Sequence, residues 1–212
     1  MKNQKIIFFT LSLIFIGFIS SCSMGKKSLQ PISYYVLDYE KPDFAPQSAL
    51  PITLSLEKLK TASPYNSNRI VYSNNRYSQN KYVYHQWMAA PEEMISNLLA
   101  RDLRASNRFK AVLDSNDPLT SYLIRGTIDE FYEQDTDSQW NAVLSITISL
   151  INKNDNDKTR QFIFQKNYKK IHPLDQNNPK GLARALSMGM SEISNQIISD
   201  IYNELHCQEV DL

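Results

Sequence analysis

Side chains suited to catalysis are few in this 212-residue sequence, and they lie far apart. The three histidines are His85, His172 and His206, and the last is followed directly by Cys207. Adjacent residues make a poor pair of metal ligands, and the sequence has no His-Glu-x-x-His or Gly-x-Ser-x-Gly motif. Its five glycines form no phosphate-cradling loop. We therefore expect neither an enzyme nor a metal site.

The other cysteine, Cys22, lies in a sequence that indicates lipidation rather than catalysis. It follows a basic start and a short uncharged run over residues 6–19, an arrangement typical of a secretory signal. That run is shorter than the roughly 20 apolar residues of a membrane-spanning helix. Residues 19–22 read Ile-Ser-Ser-Cys and resemble the bacterial lipobox, whose cysteine is lipidated and becomes the first mature residue. The alternative is an ordinary signal peptide with an incidental cysteine.

The lipobox interpretation divides the chain into four parts. Residues 1–21 are predicted to be a signal peptide, 22–31 a lipidated cysteine with a tether, 32–206 one domain and 207–212 a tail. Stable anchoring takes two or more acyl chains, which lipobox cysteines carry. In sorting signals of the enterobacterial type, aspartate after the cysteine retains a lipoprotein in the inner membrane. Ser23 therefore favours the periplasmic face of the outer membrane.

Charge and cysteine content narrow the possibilities for the mature protein. Removal of residues 1–21 takes away two of the 23 basic residues and none of the 22 acidic ones, so the net charge stays close to zero. Such a chain lacks the basic surface of nucleic-acid-binding proteins, and we expect no nucleic-acid partner. With Cys22 lipidated, Cys207 has no partner for an intramolecular disulfide. The hydrophobic core must therefore hold the fold together.

Hydrophobic periodicity predicts several strands after the tether. A short strand over 33–38 is followed by one at 52–57 and by a hairpin of residues 69–72 and 77–87. Three longer strands are predicted over 122–132, over 140–150 and around 162–168. The connections between these three are short and polar, which favours an antiparallel meander. In strand 140–150, Leu144 and Ile146 should face the core, while Ser145 and Thr147 should face solvent.

Two amphipathic helices complete the predicted domain. The first begins at Pro91 and ends near Ser106, and the second begins at Pro179 and carries apolar residues along one face as far as Leu205. The predicted fold class is therefore α+β. We expect a two-layer domain in which a mostly antiparallel β-sheet has both helices packed on one face.

Tyrosine is concentrated around the predicted hairpin, at positions 65, 72, 77, 82 and 84, ahead of Trp87. Aromatic residues are enriched at interface hot spots, but tyrosine also suits half-buried strands, and both interpretations remain open. The candidate partner-binding residues are Tyr72, Tyr82 and Tyr84. Trp87 is predicted to be a core anchor.

Residues 69–103 carry a resemblance to a known family. The strand Arg69-Ile70-Val71-Tyr72 is followed by Tyr84, by Trp87 and by an Ala90-Pro91 helix start with Met94, Leu98, Leu99 and Leu103. Together with the lipobox and the early run Tyr34-Tyr35-Val36-Leu37, this pattern resembles the ABC-type transport auxiliary lipoproteins. The resemblance covers nearly the whole mature chain.

The resemblance implies an accessory role in lipid transport across the cell envelope. Such lipoproteins act beside mammalian cell entry (MCE) domain proteins and an ABC transporter, as non-catalytic coupling modules at the outer membrane. No cofactor and no catalytic residue is implied, and self-association into a homo-oligomer is a further expectation.

Two other functions remain open at this point. One is an outer-membrane assembly lipoprotein that supports a β-barrel, of the lipopolysaccharide-assembly type. The other is a periplasmic enzyme on a lipid anchor. A neighbouring gene for an MCE-domain protein would favour the transport interpretation.

Overall fold

In the computed structural model, residues 30–114, 117–136 and 139–210 are described. The predicted signal peptide and Cys22 lie outside these residues, so the lipobox stays a prediction. Among the helices that the structure describes, none is long and apolar enough to cross a membrane.

Nine strands form one sheet in the described chain. They are β1 (Ser33–Tyr35), β2 (Leu50–Leu56), β3 (Lys60–Thr61), β4 (Arg69–Asn75), β5 (Ser78–Trp87), β6 (Phe109–Asp114), β7 (Tyr122–Asp135), β8 (Trp140–Asn152) and β9 (Phe162–Pro173). The helices are α1 (Pro91–Ala105), the single turn α2 (Lys158–Gln161) and α3 (Pro179–Val210), with a 3₁₀ turn at Ser63–Tyr65. Of these strands, β3 and β6 are additions to the predicted set.

Strand β7 is the centre of the sheet. One of its edges pairs antiparallel with β8 along almost its whole length, and β8 pairs antiparallel with β9. The other edge pairs in turn with β2, β3 and β4, all running parallel to it. β6 lies outside β2, while β5 and then β1 lie outside β4. β1 and β9 are therefore at opposite edges of the sheet.

The α+β class is confirmed, but the prediction of a mostly antiparallel sheet is wrong, because the sheet is mixed. β1 pairs parallel with β5, and β2 pairs parallel with both β6 and β7. Parallel neighbours need a long crossover between them, and here α1 lies in the connection from β2 to β6. Only the meander of β7, β8 and β9 and the hairpin of β4 and β5 are antiparallel.

The two long helices contribute the apolar stripes that their periodicity indicates. On α1, Ile95, Leu99 and Leu103 are buried, and on α3 the buried stripe runs from Leu182 to Leu205. α3 packs on β8 and β9, and α1 contacts β6 and α3. Their placement together on one face of the sheet stays a prediction. α3 extends to Val210, so the helix continues past residue 206, where the domain is predicted to end.

The segment between β1 and β2 is fastened to both long helices. The Tyr39 hydroxyl donates to the carboxylate of Asp102 on α1 at 2.7 Å, and Arg101 forms an ion pair with the same carboxylate at 2.8 Å. Burial and this carboxylate raise the pKa of Tyr39 above its usual range. The backbone N–H of Asp38 donates to the Ser187 hydroxyl on α3. Both contacts lie only a few residues beyond the start of the domain.

Strand β8 departs from its predicted alternation at Ser145. Leu144 and Ile146 are buried as expected, but Ser145 is also only 3% exposed, so its predicted exposure is wrong. Its cross-strand neighbours are Glu130 on β7 and Lys169 on β9, which form an ion pair at 2.5 Å. Since that pair joins the two strands on either side of β8, it covers the serine. The opposite face of the sheet is thus partly sealed by its own side chains.

Candidate functional site

The tyrosines of the β4–β5 hairpin are positioned by a bulge. Residues 69–71 of β4 face residues 81–86 of β5, so β5 has three extra residues at this point. In a regular strand, Tyr82 and His85 would point to opposite faces. Here they point the same way, and their rings meet edge to face with centroids 5.6 Å apart.

Tyr82 is hydrogen-bonded to a buried acid on the central strand. Its hydroxyl donates to Oε1 of Glu133 on β7 at 2.8 Å. The Glu133 side chain is fully buried, and its Oε2 has no hydrogen-bond partner among the residues that the structure describes. A buried carboxylate with one hydrogen bond is costly when ionised. Tyr82 is therefore the principal group that satisfies this acid.

The titration of this pair follows from its burial. Burial raises the pKa of Glu133 from 4.5 to about 7, the Tyr82 hydrogen bond opposes that rise, and nearby Asp135 adds to it. Burial and the adjacent carboxylate also raise the pKa of Tyr82 above its usual range. The acid thus changes charge near neutral pH while the tyrosine remains a neutral donor.

A ring cluster surrounds the Tyr82–Glu133 pair. The Tyr72 ring lies 4.9 Å from the Tyr82 ring, and the Tyr35 hydroxyl is within hydrogen-bond distance, 3.0 Å, of Nδ1 of His85. His85 therefore lies between two tyrosines from different strands. Such a group can hold β1, β4, β5 and β7 in register.

The three candidate tyrosines do not share one surface. Tyr72 and Tyr82 are half-buried in this cluster, whereas Tyr84 is 44% exposed and points away from it. Their role in partner binding stays a prediction. Trp87 is 1% exposed and packs on Phe131 at a centroid distance of 5.1 Å, which confirms it as a core anchor.

Sequence reasoning missed Glu133, because it ended the first of the three long strands at Tyr132. The strand continues to Asp135, and its register shifts between Ile128 and Glu130. After that shift, Phe131 and Glu133 occupy buried positions. A period-2 pattern continued from Phe131 would have placed the acid inside.

A metal site would need several ligating side chains close together in the part of the chain that the structure describes. There, no group of three or more His, Cys, Asp or Glu side chains is arranged to hold a metal ion. Cys207 is exposed on α3, and it is unpaired.

Comparison with known proteins gives the class of this chain. A family model described as the ABC-type transport auxiliary lipoprotein component matches residues 35–198. The chain belongs to the ABC-type transport auxiliary lipoprotein family. Membership indicates an accessory role in transport, association with an ABC transporter and association with the cell envelope. None of the curated proteins compared with the sequence matches it significantly.

Solved structures share the fold at low identity. Protein XCC0632 from Xanthomonas campestris is 14% identical, with a TM-score of 0.71 over 85% of this chain and 99% of that one. An uncharacterized protein is 15% identical, with a TM-score of 0.62 over 81% and 99% of the two chains. The hypothetical protein CT253 from Chlamydia trachomatis is 7% identical, with a TM-score of 0.52 over 73% and 98%. These likenesses concern the fold alone.

Proposed function

We propose that this protein is a lipid-anchored periplasmic accessory component of an ABC transporter system of the MCE type that moves lipids across the envelope. It acts at the outer membrane as a non-catalytic coupling module. The observation that carries the proposal is the family match over residues 35–198, which spans almost the whole domain.

The polar groups of the domain support a non-catalytic role. The most perturbed acid, Glu133, is fully buried against Tyr82, where a substrate has no access. His85 is engaged with Tyr35. The buried polar groups described above thus link strands and helices to one another. Function on this account resides in surfaces and in the anchor at Cys22.

Genetic epistasis tests the proposal. Deletion of the gene for this protein should produce the same envelope-permeability defect as deletion of the transporter permease, and the double deletion should be no worse. Additive defects would contradict a shared pathway. Loss of one outer-membrane β-barrel, with lipid transport intact, would instead support the assembly-lipoprotein alternative.

A further inference from the structure

The outer face of β1 and β5 exposes five large apolar side chains around the polar residue Gln86. Tyr35 and Leu37 point into the domain, so Ile32, Tyr34 and Val36 alternate outward and are 44%, 51% and 52% exposed. The parallel register sets Tyr34 opposite Gln86, which places Ile32 beside Tyr84 and Val36 beside Met88. The last two are 44% and 61% exposed. We call the set Ile32, Tyr34, Val36, Tyr84 and Met88 the β1–β5 face.

Clustering distinguishes this face from ordinary surface. Exposed apolar residues scattered singly need no explanation, but contiguous ones mark interaction sites. The β1–β5 face holds five of the eleven large hydrophobic residues that are exposed in the described chain. A backbone hydrogen bond from Met88 N–H to the Tyr35 carbonyl, 2.8 Å long, extends the pairing of the two strands beneath them. Backbone hydrogen bonds between β1 and β5 therefore hold the residues of the face in place.

The position of the face along the chain indicates what covers it. The domain begins at Ile32, which is itself part of the face, and Cys22 lies ten positions earlier. A connection of ten residues reaches at most about 35 Å even when it is fully extended. A contact between the face and the bilayer would be intramolecular, with an effective concentration on the millimolar scale. Weak burial of a few side chains is then sufficient.

We propose that the β1–β5 face lies against the bilayer surface, with the rings of Tyr34 and Tyr84 at the level of the lipid headgroups. This inference rests on the lipid anchor of the proposed function. Tyrosine is enriched at membrane interfaces, because its ring is apolar and its hydroxyl is polar. Lys26 and Lys27 in the tether add attraction to anionic headgroups. A partner strand on β1 fits less well, since an edge of three residues offers few main-chain hydrogen bonds.

The test uses the full-length lipoprotein reconstituted into vesicles of phosphatidylethanolamine and phosphatidylglycerol that contain a brominated phosphatidylcholine as a quencher. Tyr34→Trp reports on the face. Phe162→Trp is the matched control, because Phe162 is also 51% exposed but lies on β9 at the opposite edge of the sheet. The unsubstituted protein gives the background from Trp87 and Trp140. Met88→Trp provides a second reporter on the face, should Tyr34→Trp unfold.

The brominated lipid should remove most of the added fluorescence at position 34 and little at position 162. Val36→Asp, combined with Tyr34→Trp, should reduce that quenching while the protein still floats with the vesicles. Flotation without quenching at position 34 would overturn the inference and leave the anchor intact. Failure to float would contradict the anchor itself.

Discussion

Tyr82 and Tyr84 are close in sequence, but only Tyr82 is expected to stabilise the fold through its hydroxyl. Within the described residues, Tyr82→Phe removes the only hydrogen-bond donor to the buried carboxyl of Glu133, and we expect a loss of about 1–3 kcal/mol in the free energy of unfolding. Tyr84→Phe is the matched control, because its ring is exposed and should tolerate the change within about 0.5 kcal/mol. Urea denaturation of both variants measures the difference. Equal stability of the two variants would mean that the Tyr82 hydroxyl contributes nothing to the fold.

Glu133 predicts a pH dependence of stability. Its pKa is about 7 in the folded protein against 4.5 when unperturbed, so between these values the folded state binds more protons than the unfolded state. The free energy of unfolding should therefore fall by roughly 3 kcal/mol as the pH rises from 4.5 to above 7. Most of this decrease should be absent in Glu133→Gln.

Denaturant titrations of both proteins at several pH values would measure the two slopes. The comparison isolates the contribution of Glu133 from every other contribution to the pH profile. Parallel pH profiles for the wild type and Glu133→Gln would contradict the assignment, as would stability that rises with pH in the wild type alone.

At the scale of single elements, the two faces of β8 should differ in how well they tolerate a charged side chain. Ile146→Asp should unfold the domain, since it places a charge without a partner in the buried core. Ser149→Asp should change stability by less than about 0.5 kcal/mol, because Ser149 is only half-buried and lies opposite Arg125. Circular dichroism melting curves distinguish the two results. Similar melting temperatures would mean that β8 does not lie against the core as described.

Local patterns predicted individual elements better than their pairing. The limits of α1 followed from Pro91 and from the end of its apolar stripe, and the hairpin followed from its polar turn. The parallel pairing of β2 with β7 could not be predicted in this way, because Leu54 and Tyr122 are brought together only by long-range packing. β6 was not predicted, because it is short and directly follows a helix, so its alternating pattern of apolar and polar residues is hard to recognise.

The same contrast applies to the candidate site. The sequence predicted a tyrosine-rich hairpin and a buried Trp87, and Trp87 is indeed buried. The sequence did not reveal that the Tyr82 side chain points inward, because its direction depends on a bulge in the pairing of β5 with β4. Glu133 was missed for a similar reason, since a register shift in β7 sets which of its residues face inward.

For the whole molecule, the anchor should be separable from the fold. Cys22→Ser removes the thiol that would be lipidated, while the domain begins only at Ile32. We expect the variant to keep the wild-type thermal unfolding curve, to be uncleaved or soluble, and to be absent from the outer membrane after a high-salt wash. A variant that stays with the outer membrane after that wash would contradict the lipobox interpretation.

The most direct test of the central claim is to identify what the wild-type protein binds in its own membrane. A tagged full-length protein would be cross-linked in cells, purified from solubilised envelopes and analysed by mass spectrometry, with Cys22→Ser as the matched control. Our account predicts that an MCE-domain protein and ABC transporter subunits co-purify with the wild type and are strongly depleted with Cys22→Ser. Recovery of an outer-membrane β-barrel in place of transporter components would contradict it.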